Sequence, residues 1–160
     1  MLLEEYRIKT TNFCLNSSIL ATDVSTKALQ KAATGKFSQL EIQRGLPPQL
    51  LVKYFTKDIE NFWTLKNSVR ERVELKLRNL LNFEPSPEKF DLILCRNILI
   101  YQRVEKRVHI LNRLASQLSP DGILLLGAGE SLVGMKTQLE TFDIGGVIFL
   151  RRILAMSQAA

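Results

Sequence analysis

Short runs of β-forming residues alternate with segments of helical spacing, and that alternation limits the folds open to this chain. Residues 18–24 read SILATDV, an apolar run closing on an acid. Ser25-Thr26 can cap a helix over about 26–34, in which Ala28, Leu29, Ala32 and Ala33 share one face and Gly35 is the stop. Residues 90–95 (FDLILC) read as a fully buried strand. A helix over 104–118 follows, with Val104, Val108, Leu111, Ala115 and Leu118 on one stripe. Ser119-Pro120-Asp121-Gly122 predicts a turn, 123–126 a buried strand, 132–139 a helix, and 147–150 a last strand after Gly145-Gly146. Strands separated by helices imply an α/β layered fold with a mostly parallel sheet.

The middle of the chain departs from this rhythm. Pro47-Pro48 opens a helix through Phe55, since proline suits a first turn. Asp58, Asn61 and Asn67 are turn formers around Phe62-Trp63-Thr64-Leu65, which fits a small hairpin. Val73, Leu75 and Leu77 alternate with charged residues, a half-buried strand running into Asn79-Leu80-Leu81.

Composition narrows the class further. With 160 residues, 46% hydrophobic and 24% charged, the chain is of ordinary globular type and long enough to bury a core without metals or disulfides. Cys14 and Cys95 match no metal-ligand spacing, so both are read as reduced thiols of a cytoplasmic protein. No apolar run reaches the roughly 18 residues of a membrane span, and the start, MLLEEY, lacks the features of a signal peptide. The formal charge of +6 favours acidic partners in general. Its basic residues are interspersed with acids, so a solvated surface is preferred to nucleic-acid binding.

In open parallel sheets, ligands bind beyond the carboxyl ends of the strands. That rule selects Asp23, Asn79-Leu80, Arg96-Asn97, and the segment 127–130. An acid at the end of a strand can accept both hydroxyls of a ribose; equally, Asp23 could only help to cap the helix behind it. Arg96-Asn97 offers donors and an acceptor, or an Arg paired with a surface acid. Tyr101, four residues beyond Asn97, reads on its own as a packed ring with a wet hydroxyl. His109 has no acid–nucleophile constellation and is read as a surface or boundary residue. Phe62 and Trp63 serve hairpin packing or a docking surface, and Cys95 is read as buried and inert rather than nucleophilic.

Taken together, ILATDVS, QRGLPP, KYF, Asn79-Leu80-Leu81, FDLILCRNILIY, SPDG, and Leu126-Gly127 with Glu130-Ser131 occur in order. This series closely resembles the CheR family of chemotaxis receptor glutamate methyltransferases, from about Ile19 onward, with CRNILIY its most specific element. The resemblance implies a class I, Rossmann-like S-adenosylmethionine methyltransferase sheet with helices on both faces and a small antiparallel β-subdomain inserted at about 56–73. It implies that Asp23 takes the ribose hydroxyls, that Asn79 and Leu80 border the adenine, and that Arg96 and Asn97 lie along the cofactor. Tyr101 would be catalytic, near the transferred methyl group, and no metal is implied. The partners implied are the cytoplasmic signalling helices of chemoreceptors, met through the β-subdomain, with no nucleic acid and no membrane insertion. S-adenosylhomocysteine would be the product.

Two residues depart from the family pattern: Gln102 stands where an aromatic is usual, and the segment Gly127-Ala128-Gly129-Glu130 lacks the usual His. The loop at 58–61 is short for gripping a tethering peptide. The family also carries a helical domain, a first strand and a Gly-rich turn before the helix that residues 1–6 resemble. The expectation is therefore a partial methyltransferase domain over 1–160 with its first strand missing, impaired by itself or completed by a second chain. The alternative is a receptor-docking module of the same family without catalysis. A nucleic-acid methyltransferase is disfavoured, because CRNILIY stands where an Asn/Asp-Pro-Pro-aromatic signature would follow FDLILC.

Overall fold

A computed structural model describes residues 1–10, 17–85 and 87–153; Cys14 lies outside them. The chain forms two compact units, Met1–Asn79 and Leu80–Ala160.

In the first unit, helix α1 (Leu2–Lys9) precedes strand β1 (Ile19–Asp23) and helix α2 (Thr26–Thr34). The borders of α2 follow from two side chains. Ser25 Oγ accepts the Ala28 N–H at 3.2 Å, and Gly35 ends the helix with φ +60°, where its N–H reaches the carbonyls of Lys31 and Ala32. Short β2 (Lys36–Phe37) and helix α3 (Gln39–Ile42) follow. Helix α4 (Pro48–Tyr54) then runs without a linker into β3 (Phe55–Lys57), which turns back into β4 (Trp63–Leu65). The three-stranded antiparallel sheet has the order β2-β4-β3. Asp58 closes its tip, where Oδ1 accepts the N–H groups of Glu60 and Phe62 at 3.0 and 2.9 Å and the carboxylate pairs with Lys36. Lys36 first, then these N–H groups, hold the Asp58 carboxyl below its usual range.

A single turn, α5 (Asn67–Arg70), leads to β5 (Val73–Leu77), which lies parallel to β1 in register Ile19↔Val73 through Asp23↔Leu77. The core of this unit is Ile42, Tyr54 and Phe55, with Phe37 packed edge-on against Phe55 at 6.0 Å. Glu5 of α1 binds Lys53 and the Tyr54 hydroxyl of α4 at 2.7 and 2.5 Å, so polar contacts fix a helix that buries no residue of its own.

The second unit carries β6 (Phe90–Cys95), a 3₁₀ turn at Leu99–Tyr101, helix α6 (Val104–Gln117), β7 (Leu118–Leu126), and a hairpin of β8 (Leu139–Ile144) and β9 (Val147–Arg152). Its sheet has the order β6-β7-β9-β8, with β6 and β7 parallel and the other pairs antiparallel. Ile110, Leu111, Leu114 and Ala115 of α6 pack with Leu99, Leu118, Leu124, Leu139 and Leu150 in the buried core. Of the stripe expected for this helix, Leu111, Ala115 and Leu118 are buried and Val108 is half-buried, whereas Val104 at its start is exposed.

Three expectations of local structure change. FDLILC is a strand, but it is not fully buried: Ile93 and Cys95 face the core, while Leu92 and Leu94 are 49% and 62% exposed. The strand therefore alternates as a half-covered one does. The residues of the expected turn, Ser119-Pro120-Asp121-Gly122, lie inside β7 as a bulge. The pairing steps from Phe90↔Leu118 to Leu92↔Ile123, so the turn formers are accommodated as extra residues in one strand. No helix forms over 132–139. Gly134 takes φ +74°, Thr137 Oγ1 engages the backbone of Leu139, and Leu132 and Met135 pack on the core from a turn. The apolar spacing there served burial without a helix.

Among the described residues, no helix is long and apolar enough to cross a membrane. Replacing Leu111, fully buried in the middle of α6, by Ala is expected to cost the second unit about 2–5 kcal/mol. Urea unfolding followed by helix signal would measure it.

Candidate functional site

A parallel pair places both carboxyl ends on one side, and in this chain each of its two parallel pairs presents such a rim. In the first unit the rim holds Asp23, at the end of β1, and Asn79, two residues beyond β5. The Arg78 N–H donates to the Asp23 carbonyl at 3.0 Å and so carries the pairing just past the strands. Both side chains are exposed. Asp23 Oδ1 accepts the Ser25 N–H at 2.8 Å. The capping alternative is thus realised in part, with Asp23 ordering the turn and Ser25 capping the helix. The carboxylate remains at the surface with its second oxygen. Leu80 opens the second unit, half-buried against its core.

A cavity of about 580 Å³ in the first unit is lined by Met1, Leu3, Ile8, Ile19, Val69 and Arg72, among others. Ile19 begins β1, so this cavity lies toward the opposite end of the strand from Asp23.

In the second unit the rim is the loop after β6. Arg96 and Asn97 are exposed, and Asn97 adopts φ +60°, a left-handed conformation that asparagine tolerates better than most residues. Leu99 is buried and anchors the 3₁₀ turn, which leaves Tyr101 80% exposed. Among the described residues the Arg96 guanidinium and the Tyr101 hydroxyl carry no hydrogen bond or ion pair, so both are available to a ligand. Tyr101 is therefore not the packed ring that its position alone suggests.

What shapes this loop is Glu130. Its Oε2 accepts the N–H groups of Gly127 and Asn97 at 2.8 and 2.9 Å. Its Oε1 accepts those of Ile98, Leu99 and Ile100 at 2.9, 2.7 and 3.3 Å. Five backbone donors thus converge on one half-buried carboxylate. Burial pushes its pKa up, but the N–H groups of Gly127, Asn97, Leu99 and Ile100 outweigh it, and the net shift is downward. Glu130 belongs to the residues that match the family pattern, but the sequence alone gives it no role. The only local signal was an acid in the segment at the end of an apolar strand.

The remaining candidates stay out of the chemistry. Cys95 is 2% exposed, and its thiol is pushed up to about 12, by burial first and by the nearby Glu130 charge second. It is inert at neutral pH, as expected. His109 is an exposed residue of α6, with Nε2 3.1 Å from the Leu81 carbonyl. Trp63 is part-buried and donates from Nε1 to Gln39 Oε1 at 2.7 Å, while Lys57 and Lys36 stack over the Trp63 and Phe62 rings.

Residues 1–147 match the family described as CheR methyltransferase, SAM binding domain. The chain is 38% identical over 136 residues to "Chemotaxis protein methyltransferase Cher2" of Pseudomonas putida, covering 84% of this chain and 50% of that protein. It is 42% identical over 114 residues to "Chemotaxis protein methyltransferase 1" of Pseudomonas aeruginosa, covering 71% of this chain and 42% of that protein. A "Chemotaxis protein methyltransferase" of Vibrio parahaemolyticus is 38% identical over 123 residues, 77% of this chain and 45% of that protein. The chain spans about half the length of these relatives.

Gly127 tests the geometry of the loop. A Cβ there would lie 2.5 Å from Asn97 Oδ1 and 2.8 Å from Glu130 Oε2. Gly127→Ala is expected to displace one of the two and to destabilise the second unit by about 1–3 kcal/mol, read by urea unfolding. A change below 0.5 kcal/mol, within the range of ordinary surface substitutions, would mean that the close approach is not required.

Proposed function

The chain belongs to the CheR methyltransferase family, and on that premise we propose that it carries the part of a protein-glutamate methyltransferase that lines S-adenosylmethionine and the acceptor carboxylate. The observation that carries this reading is the loop after β6, in which Arg96 and Tyr101 are exposed and unengaged on a backbone fixed by Glu130. The class I, Rossmann-like methyltransferase fold accounts for the α/β architecture and for the placement of these residues beyond parallel strand ends.

The residues fit the cofactor's chemistry. Asp23 offers an exposed carboxylate at the end of β1 for the two ribose hydroxyls. Asn79 and Leu80 would border the adenine with one polar and one apolar side chain. Arg96 and Asn97 would lie along the cofactor. When bound, S-adenosylmethionine supplies a methyl group activated by the positive charge of its sulfonium. The acceptor is a glutamate carboxylate, already ionised at neutral pH because its pKa is about 4.3. No proton need be removed from it, so a general base is unnecessary, and the enzyme's task is alignment. Tyr101 and Arg96 are the side chains proposed to orient the acceptor oxygen by donating hydrogen bonds to it.

The acceptors proposed are glutamates on the cytoplasmic signalling helices of chemoreceptors, in keeping with a cytoplasmic location. The three-stranded sheet with the hairpin at about 56–73 is proposed to meet the receptor as an inserted subdomain. The basic character of the chain favours glutamate-rich surfaces over neutral ones.

Calorimetric titration with S-adenosylhomocysteine is expected to give saturable binding. Asp23→Ala is expected to weaken it about tenfold, the loss of a hydrogen bond to a charged group. If a protein extended to the length of the relatives also shows no binding, the cofactor reading is wrong. If Asp23→Ala binds as tightly as the parent, Asp23 is only a turn residue.

A further inference from the structure

We infer that Glu130 is the positioning residue of the methyl-transfer site: its carboxylate sets the backbone of residues 96–101, and through it the directions of Arg96, Asn97 and Tyr101. The inference rests on the proposed role of those three residues, but its structural half stands independently.

Residues 97, 98, 99 and 100 all turn their N–H groups toward one point, at 2.9, 2.9, 2.7 and 3.3 Å from the Glu130 oxygens. Successive N–H groups converging in this way form an anion-binding concavity. Such concavities commonly take a phosphate or carboxylate from a ligand; here the occupant is a side chain thirty residues further along the same chain. At its far end the loop is also held by the Arg107 guanidinium, which donates to the carbonyls of Gln102 and Ile100 at 2.7 and 3.5 Å, but the N–H groups of residues 97–100 are gathered by Glu130. Asn97 holds a positive φ, which needs surrounding structure to maintain it, and Leu99 alone is buried. The carboxylate also accepts from Gly127 at 2.8 Å, so a single group ties the end of β7 to the end of β6.

Neutral replacements do not reproduce this. Each oxygen of Glu130 accepts at least two N–H groups, and an amide must turn its NH₂ toward one of those sets. Glu130→Gln therefore places donor against donor in either orientation. Glu130→Asp keeps the charge but is one methylene shorter, so it retains the attraction at greater distance. A role in bulk packing would behave oppositely, because Gln is the closer match in shape.

The lowered pKa supports this ordering. A carboxyl whose folded value lies below its unfolded value contributes stability above about pH 4.3, and that contribution is lost as pH falls through the folded value. Amide shifts of residues 97–100 should then titrate together in the parent chain, with a midpoint below the usual glutamate range. In Glu130→Gln that titration should vanish.

The test combines two readouts on the 160-residue chain. Amide hydrogen exchange is expected to lose at least tenfold protection at residues 98–100 in Glu130→Gln, while the middle of α6 keeps its protection, and Glu130→Asp is expected to recover part of the loss. S-adenosylhomocysteine affinity should fall about tenfold in Glu130→Gln and less in Glu130→Asp. Unchanged protection at residues 98–100 would overturn the inference, as would a released loop with unaltered affinity. If Glu130→Gln does not fold, the comparison of Glu130→Asp with the parent and the parent's pH titration decide. If neither the parent nor a protein extended to the length of the relatives binds S-adenosylhomocysteine, the reading of the site fails. The exchange comparison then still decides whether Glu130 holds the loop.

Discussion

Parallel strands cannot be joined by a tight turn, because the chain must return to the end from which it started. In both units that constraint organises everything around it. Between β1 and β5 the return carries α2, the three-stranded sheet and α5. Between β6 and β7 it carries the 3₁₀ turn and α6. Each return leaves its strand at the carboxyl end, so the residues that begin it stand on the rim of the sheet, exposed and in a defined direction. Asp23 and the segment 96–101 are such residues. Their exposure is a result of topology rather than of local polarity.

A rim of loops needs to be fixed by something other than the ladder. In the first unit, short-range bonds suffice: Asp23 holds Ser25, Ser25 caps α2, and Arg78 extends the pairing by one residue. In the second unit the loop after β6 is fixed from a distance, by a carboxylate beyond the next strand. The two rims thus differ in how they are held, though both meet the same requirement that exposed polar groups keep one geometry.

Sequence signals determine the structure directly where they act within a few residues. The α2 helix is bounded as expected, because a serine that caps and a glycine that tolerates positive φ act within a few residues. FDLILC begins and ends where its composition changes. Structure departs from sequence pattern where tertiary contacts decide. Leu132, Met135 and Leu139 have helical spacing, yet Gly134 and Thr137 favour a turn, and the core accepts the apolar side chains from it. SPDG reads as a turn, but the sheet on either side keeps it as a bulge. The role of Glu130 could not be read from its neighbours, since its partners lie some thirty residues earlier and the bonds are to backbone, which leaves no trace in side-chain pattern. Arg96, Asn97 and Tyr101 were legible as candidates because strand-end position and motif agreed; their exposure and lack of partners became visible only in three dimensions.

The direct passage from α6 into β7, with Gln117 ending the helix and Leu118 beginning the strand, has a consequence for how this unit can vary. A connecting loop would absorb an added or deleted residue, but here none intervenes. One residue inserted at this junction would turn the helix by about 100° relative to Leu118, and Leu111 and Leu118 could not both remain in the core. The bulge at 119–122 begins only beyond Leu118, where it can take up added length before the pairing resumes at Ile123. Length variation in this half of the molecule should therefore collect in that bulge and at the tip of the β8–β9 hairpin, while the helix–strand junction keeps its length.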